Sequence, residues 1–112
     1  MKSKIFLSII MLILLAPFSY SSEQNTGPEN IILEGGRPGN IPFSHHIHQN
    51  ALSDCNYCHN LFPKISNSIE KLKAEGKLGK KEVMNNCSKC HKQKAENNEK
   101  AGPTNCMGCH KK

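Results

Sequence analysis

The 112-residue chain has no tryptophan and only 5% aromatic residues, so the large side chains that usually fill a small core are scarce. About 41 residues are apolar, and 14 of them fall within residues 1–22, leaving 27 in the last 90. Six of those 27 are cysteines. The remainder is too little for an ordinary enzyme core, and chains this small and polar usually need disulfides, metal or another staple. No second hydrophobic segment follows the N-terminal one, which argues against an uncleaved membrane anchor. No cysteine precedes Cys55, which excludes a lipoprotein attachment site. Net charge is also modest: without Lys2 and Lys4 the chain carries 13 basic against 9 acidic residues, a +4 balance that argues little for nucleic acid.

The apolar residues that are present open the chain. Lys2 and Lys4 precede a run from Ile5 to Leu15 broken only by Ser8, followed by Pro17 and the small residues Ser19, Ser21 and Ser22. This pattern reads as an export signal over residues 1–22, cleaved near Ser21 or Ser22, and leaves a single domain over 23–112. Export is expected to deliver the chain to the periplasm. Cysteines in an oxidising compartment raise the question of a disulfide framework first.

Past a polar stretch to Asn30, Ile31-Ile32-Leu33 and Ile41-Pro42-Phe43 flank Gly35-Gly36-Arg37-Pro38-Gly39-Asn40, the pattern of a short two-stranded hairpin. Pro42 confines its strand to an edge. A helical turn from Ser44 to about Asp54 would carry His45, His46 and His48. Ile65, Ile69 and Leu72 predict a helix over 66–75 capped by Ser66 or Ser68, and a second short helix is expected over 80–86. The stretch from Gly102 to Lys112 reads mostly as loop.

All six cysteines fall into one pattern used three times: Cys55-Asn56-Tyr57-Cys58-His59, Cys87-Ser88-Lys89-Cys90-His91 and Cys106-Met107-Gly108-Cys109-His110. Each is Cys-x-x-Cys-His, the attachment signal for c-type haem. Two thiols at this spacing can add to the two vinyl groups of one porphyrin, and the adjacent imidazole then sits under the iron. Structural zinc could use Cys-x-x-Cys pairs, but six cysteines with three adjacent histidines divide awkwardly into such sites. A disulfide framework gives no reason for a histidine after every second cysteine. Three haem c groups would also supply the missing core.

An iron with both axial positions filled passes electrons, whereas an open one binds substrate or gas. His59, His91 and His110 are the proximal ligands. The remaining histidines, His45, His46 and His48, are crowded into four positions. His45 and His48 stand one helical turn apart on a shared face, and His46 is rotated by roughly 100° from His45. His46 is read as a surface residue, which leaves a ligand to be found. Methionine is the next usual donor. After the signal only Met84 and Met107 remain, and Met107 lies inside an attachment motif.

The chain resembles the triheme cytochrome c7 group of the cytochrome c3-like multihaem cytochromes over essentially the whole mature region. The resemblance rests on the hairpin, on Phe43-Ser44-His45-His46-Ile47-His48 matching the family's Phe-x-His-x-x-His, on the three motifs in order, and on Gly102-Pro103-Thr104-Asn105-Cys106 with terminal Lys111-Lys112. It implies a small, mostly α and loop fold with an N-terminal two-stranded hairpin and closely packed haems as its core. It also implies His45 opposite His59 at the first haem and His48 opposite His91 at the second. The family commonly has a histidine just before the second motif, directed at the last haem. Glu82-Val83-Met84-Asn85-Asn86 contains none. Some members use methionine there, which implies Met84 opposite His110, with His46 or an open iron as alternatives. A second departure is the long, lysine-rich connection of 27 residues between His59 and Cys87.

The expected function is electron transfer in anaerobic-type respiration, without bond chemistry on a substrate and so without enzymatic activity. Expected partners are redox proteins acting as donor and acceptor, with a membrane reductase or quinol-oxidising complex among the candidates. Neither nucleic acid nor a small-molecule substrate is expected. Lys64, Lys71, Lys73, Lys77, Lys80 and Lys81 would guide an acidic partner or form a solvated helix face. Haem propionates would largely cancel the +4 of the polypeptide. The competing readings are a haem enzyme or gas sensor with an open site on the last haem, and a cytochrome subunit of a larger reductase.

Overall fold

The computed structural model describes residues 25–112, and the expected export signal over 1–22 lies outside the described residues. Strands β1 (Asn30–Leu33) and β2 (Ile41–Ser44) pair antiparallel, with Ile31 opposite Phe43 and Leu33 opposite Ile41. Period-two alternation turns these four half-buried side chains to one face, while Ile32, opposite Pro42, is 66% exposed on the other. The turn depends on Gly36 and Gly39, which adopt φ of 69° and 115°, and is closed by Gly39 N–H donating to the Gly36 carbonyl at 3.1 Å. An isolated antiparallel bridge joins Asn40 to Lys111, so the hairpin also receives the end of the chain.

Helix α1 (His45–Leu52) leaves β2 directly. Its first amides have no partner within the helix, and both His45 and His46 N–H donate to the Glu29 carbonyl. Ser53 ends it in the left-handed region at φ 56°, one residue short of the expected boundary at Asp54. Helix α2 (Asn56–His59) is the single turn of the first motif, started by Asp54 Oδ1 accepting from Asn56 N–H at 2.9 Å.

Helix α3 (Ser68–Ala74) is shorter than the expected 66–75. Neither Ser66 nor Ser68 caps it. Asn67 occupies the cap position with φ 56° and no capping side-chain hydrogen bond, and Ser68 is instead buried at the first turn. Its other end is a glycine stop: Gly76 has φ 69°, Lys77 N–H returns to the Leu72 carbonyl at 2.9 Å, and Leu78 is buried.

Helix α4 (Glu82–Glu96) departs most from expectation, being 15 residues long rather than the short segment ending near Asn86. It runs straight through the second motif and carries Cys87, Cys90 and His91 on its turns. The residues flanking the motif, among them Glu82, Lys92, Gln93, Lys94 and Ala95, are good helix formers, so the motif is absorbed into a continuous helix. The Glu82 carboxylate accepts from Gly79 N–H at its start, and Lys94 pairs with Glu99 at 2.5 Å at its end. Helix α5 (Cys106–Cys109) puts one helical turn into the tail expected to be loop, because Asn105 caps it by accepting from Gly108 N–H at 2.7 Å.

Among the described residues only Ile69 and Leu78 are buried apolar side chains, and no large side chain is fully buried. Burying such a side chain contributes about 2 kcal/mol, far too little in two places to offset the conformational entropy of ordering a domain. The apo chain should therefore show no cooperative thermal transition by far-ultraviolet circular dichroism, whereas the haem-loaded protein should unfold cooperatively. Cooperative, native-like unfolding of the apo chain would contradict this account.

Candidate haem-binding site

The first and third motifs present their residues on a short helical turn, and the second presents its residues within α4. His59 N–H donates to the Cys55 carbonyl and His110 N–H to the Cys106 carbonyl, both at 2.9 Å, so each terminal histidine stays close to the first cysteine of its motif. No two of the six cysteines, all among the described residues, are joined in a disulfide. Burial, with neighbouring Cys90 and Cys55, pushes the Cys58 thiol up. Cys87 is pushed up to about 11 by burial, with Cys58, Cys109 and Cys90 adding to it. The first and second motifs meet beside the N-terminal half of α4. A cavity of about 890 Å³ opens there, lined by Cys55, Cys58 and His59 of the first motif, by Cys87 of the second, and by His45 and His48. Apolar side chains of the hairpin and α3, such as Phe43 and Ile69, complete its wall.

The histidines separate into two kinds by their hydrogen bonds. His45 Nδ1 lies 3.1 Å from the Pro28 carbonyl, His48 Nδ1 2.8 Å from that of Ser44, and His59 Nδ1 3.1 Å from that of Phe62. His91 Nδ1 lies 2.7 Å from the Pro103 carbonyl and His110 Nδ1 2.8 Å from that of Gly39. A carbonyl only accepts, so each of these Nδ1 atoms bears the proton and each Nε2 keeps its lone pair. That is the tautomer a metal-bound histidine adopts. His46 is the exception: its Nε2 donates to the Gly27 carbonyl at 3.2 Å, which occupies the nitrogen the other five leave free.

Two pairs of these rings face each other. His45 and His59 have centroids 6.2 Å apart, and His48 and His91 6.0 Å. A metal–nitrogen bond of about 2.0 Å, plus about 1.1 Å from that nitrogen to the ring centre, separates two imidazoles across one iron by about 6 Å. Phe43 braces His48 with ring centroids 4.4 Å apart, and Phe62 braces His59 at 5.4 Å. The donor set therefore fits haem: paired thiols for the ring edge and opposed imidazoles for the iron. Among the described residues no three of His, Cys, Asp or Glu form a cluster that could hold a bare metal ion.

His110 belongs to no opposed histidine pair among the described residues. Met84, one turn before Cys87 on α4, is 49% exposed. Glycines that sequence reasoning passed over matter here. A Cβ on Gly35 would come within 2.6 Å of His110 Nδ1, and one on Gly102 within 2.6 Å of His91 Cε1. Their sequence signal was present, since both sit in glycine-containing turns. The carbonyls that orient the imidazoles carry no signal at all, because every residue has one.

Fold and site together define a small multihaem c-type cytochrome. A family model described as cytochrome c7 and related cytochrome c matches residues 41–111. The chain belongs to this cytochrome c7 family, whose members carry three covalently bound haem c groups and are electron-transfer proteins, not enzymes. A cytochrome c7 of Geobacter metallireducens is 35% identical over 74 residues, covering 66% of this chain and 67% of that protein. The solution structure of the triheme cytochrome PpcA from Geobacter sulfurreducens is similar with a TM-score of 0.52 and 32% identity, over 76% of this chain and 100% of that one.

The hydrogen bonds predict which histidines matter. In the loaded protein, His45→Ala and His48→Ala should each turn one of the three irons high-spin or water-ligated in the visible spectrum. His46→Ala should leave the spectrum unchanged. An opened iron in His46→Ala with none in His48→Ala would reverse the assignment.

Proposed function

We propose that this cytochrome is an exported, periplasmic electron carrier whose irons are held by His45 and His59, by His48 and His91, and by His110 with Met84. The single observation that carries the ligand assignment is the protonation pattern of the histidines: five of six give Nδ1–H to a carbonyl, and four of those five form opposed pairs about 6 Å apart. Haem c, when bound, supplies reversible one-electron chemistry at iron. The cysteines fix each ring, the imidazoles hold the irons low-spin, and the carbonyls keep each imidazole in the tautomer that donates through Nε2. Residues 1–22 support export by their charge, apolar run and small-residue end.

Donor and acceptor are redox proteins, and the connection between His59 and Cys87 offers a docking surface for an acidic one. Lys64, Lys71, Lys80 and Lys81 are exposed along it, while Lys77 pairs with Glu75 at 2.9 Å. Charge of this kind steers encounter and makes its rate sensitive to salt. Intact mass of the protein recovered from the periplasmic fraction tests export and loading together. Loss of about 22 residues with three haems retained under denaturing conditions is expected. Bare polypeptide from cells able to mature c-type cytochromes would overturn the loading, and retention of the N-terminus would overturn the export.

Met84 rests on a ligand deficit. His46 has its Nε2 occupied and Met107 is inside a motif, so Met84 is the remaining donor for the iron of His110. A thioether donates less charge than imidazole and favours the ferrous state, so the last haem should have the highest potential. The ferric protein should show the weak far-red charge-transfer band of sulfur-ligated iron. Met84→His should abolish it and lower one midpoint by on the order of 0.1 V, within the roughly 0.8 V that axial ligands span. A wild type without the band, with every haem low-spin in Met84→Ala, would return His46 as the ligand. High-spin iron in the wild type would indicate an open site on the last haem.

A further inference from the structure

The two histidine pairs have nearly equal spacing but very different ring angles: 85° between His45 and His59, and 22° between His48 and His91. The near-parallel pair is clamped from both sides. His91 makes the shortest of the five histidine–carbonyl hydrogen bonds, 2.7 Å to Pro103. Gly102 lies flat against the same ring, where an added Cβ would stand 2.6 Å from Cε1, 3.1 Å from Nδ1 and 3.3 Å from Nε2. Opposite, His48 is fixed by the Ser44 carbonyl at 2.8 Å and by the Phe43 ring. In the perpendicular pair both carbonyl contacts are 3.1 Å.

We propose that Gly102 and the Pro103 carbonyl are positioning residues that lock the His91 imidazole nearly parallel to His48, making the second haem electronically distinct from the first. The proposal rests on the ligand assignment given above. An imidazole donates π density to iron perpendicular to its ring plane. Two parallel rings raise the same iron d orbital and split it from its partner. Two perpendicular rings raise one orbital each and leave them nearly degenerate. Parallel rings therefore stabilise the ferric state more, and the short bond to Pro103, which gives His91 imidazolate character, acts in the same direction. The loop of Gly102 and Pro103 leads directly into the third motif, and the Pro103 carbonyl lies 4.0 Å from Cys109 Sγ. The group that orients the iron ligand of the second haem thus also borders the attachment sulfur of the third.

Gly102 is a suitable probe, because its backbone is outside the left-handed region and the three atoms nearest an added Cβ all belong to the His91 ring. The experiment is low-temperature electron paramagnetic resonance and potentiometry of the fully ferric, haem-loaded protein. The wild type should give one strongly anisotropic low-spin signal from the perpendicular pair and one rhombic signal from the parallel pair. The rhombic haem should have the lower potential of the two. Gly102→Ala should shift or lose the rhombic signal and raise that midpoint, leaving the anisotropic signal in place. A wild type with one kind of imidazole signal overturns the proposal, as does a rhombic signal unmoved in Gly102→Ala. If Gly102→Ala fails to load three haems, proton exchange in the wild type decides: slow exchange of His91 Nδ1–H supports the clamp and rapid exchange overturns it. High-spin iron at these two haems in the wild type overturns the ligand assignment and the proposal with it.

Discussion

An iron held by two imidazoles requires them about 6 Å apart on opposite sides, each with its outward nitrogen protonated and satisfied. That constraint dictates more of this structure than side-chain packing does. His45 and His48 lie on α1, while their opposed rings His59 and His91 lie on α2 and α4. Neither pair is adjacent in sequence, so the chain must fold back to bring its members together. Few apolar side chains help it, for only Ile69 and Leu78 are buried apolar residues among those described.

The hairpin is the common frame. Its second strand runs straight into α1, which sets the positions of His45 and His48 together. Its turn supplies the Gly39 carbonyl to His110 and pairs Asn40 with Lys111. A rigid unit of about two dozen residues therefore touches all three sites. Displacing the hairpin would disturb every iron at once. Gly35 and Gly39 act through close approach: a Cβ on Gly35 would meet the Gly39 carbonyl and the His110 ring, and one on Gly39 would meet the Lys111 backbone.

Much of this was legible in the sequence because motif spacing is local. The hairpin followed from alternation around a glycine-rich turn, and its strands differ from expectation by one residue each, at Asn30 and Ser44. The attachment cysteines and their histidines could be read directly. Helical geometry set His46 apart from His45 and His48, but assigning those two to particular irons required a family resemblance, because geometry shows which residues share a face but not which ring each one opposes. The length of α4 was missed because the expected helix stopped at Asn86, whereas lysine, glutamine and alanine beyond the motif carry the helix through it. The cap of α3 was misassigned because Asn67 enters the left-handed region, leaving both serines outside the capping position. The donor opposite His110 was not legible in the histidine pattern, since no second imidazole faces it among the described residues.

The span between His59 and Cys87 carries a consequence for how such a chain tolerates change. The entropy of closing a loop grows only with the logarithm of its length, about 0.6 kcal/mol for each doubling. The bond from His110 to Gly39 spans 71 residues and that from His45 to Pro28 spans 17, a ratio worth only about 1.2 kcal/mol. Twenty-seven residues of connection are thus inexpensive to accommodate. What limits that segment is local: α3 stops at Gly76, and Leu78 folds back beside it, so the connection is partly a folded knot of its own. Length can vary around that knot with little entropic penalty as long as Phe62 stays against His59 and Ile69 stays in the cavity wall.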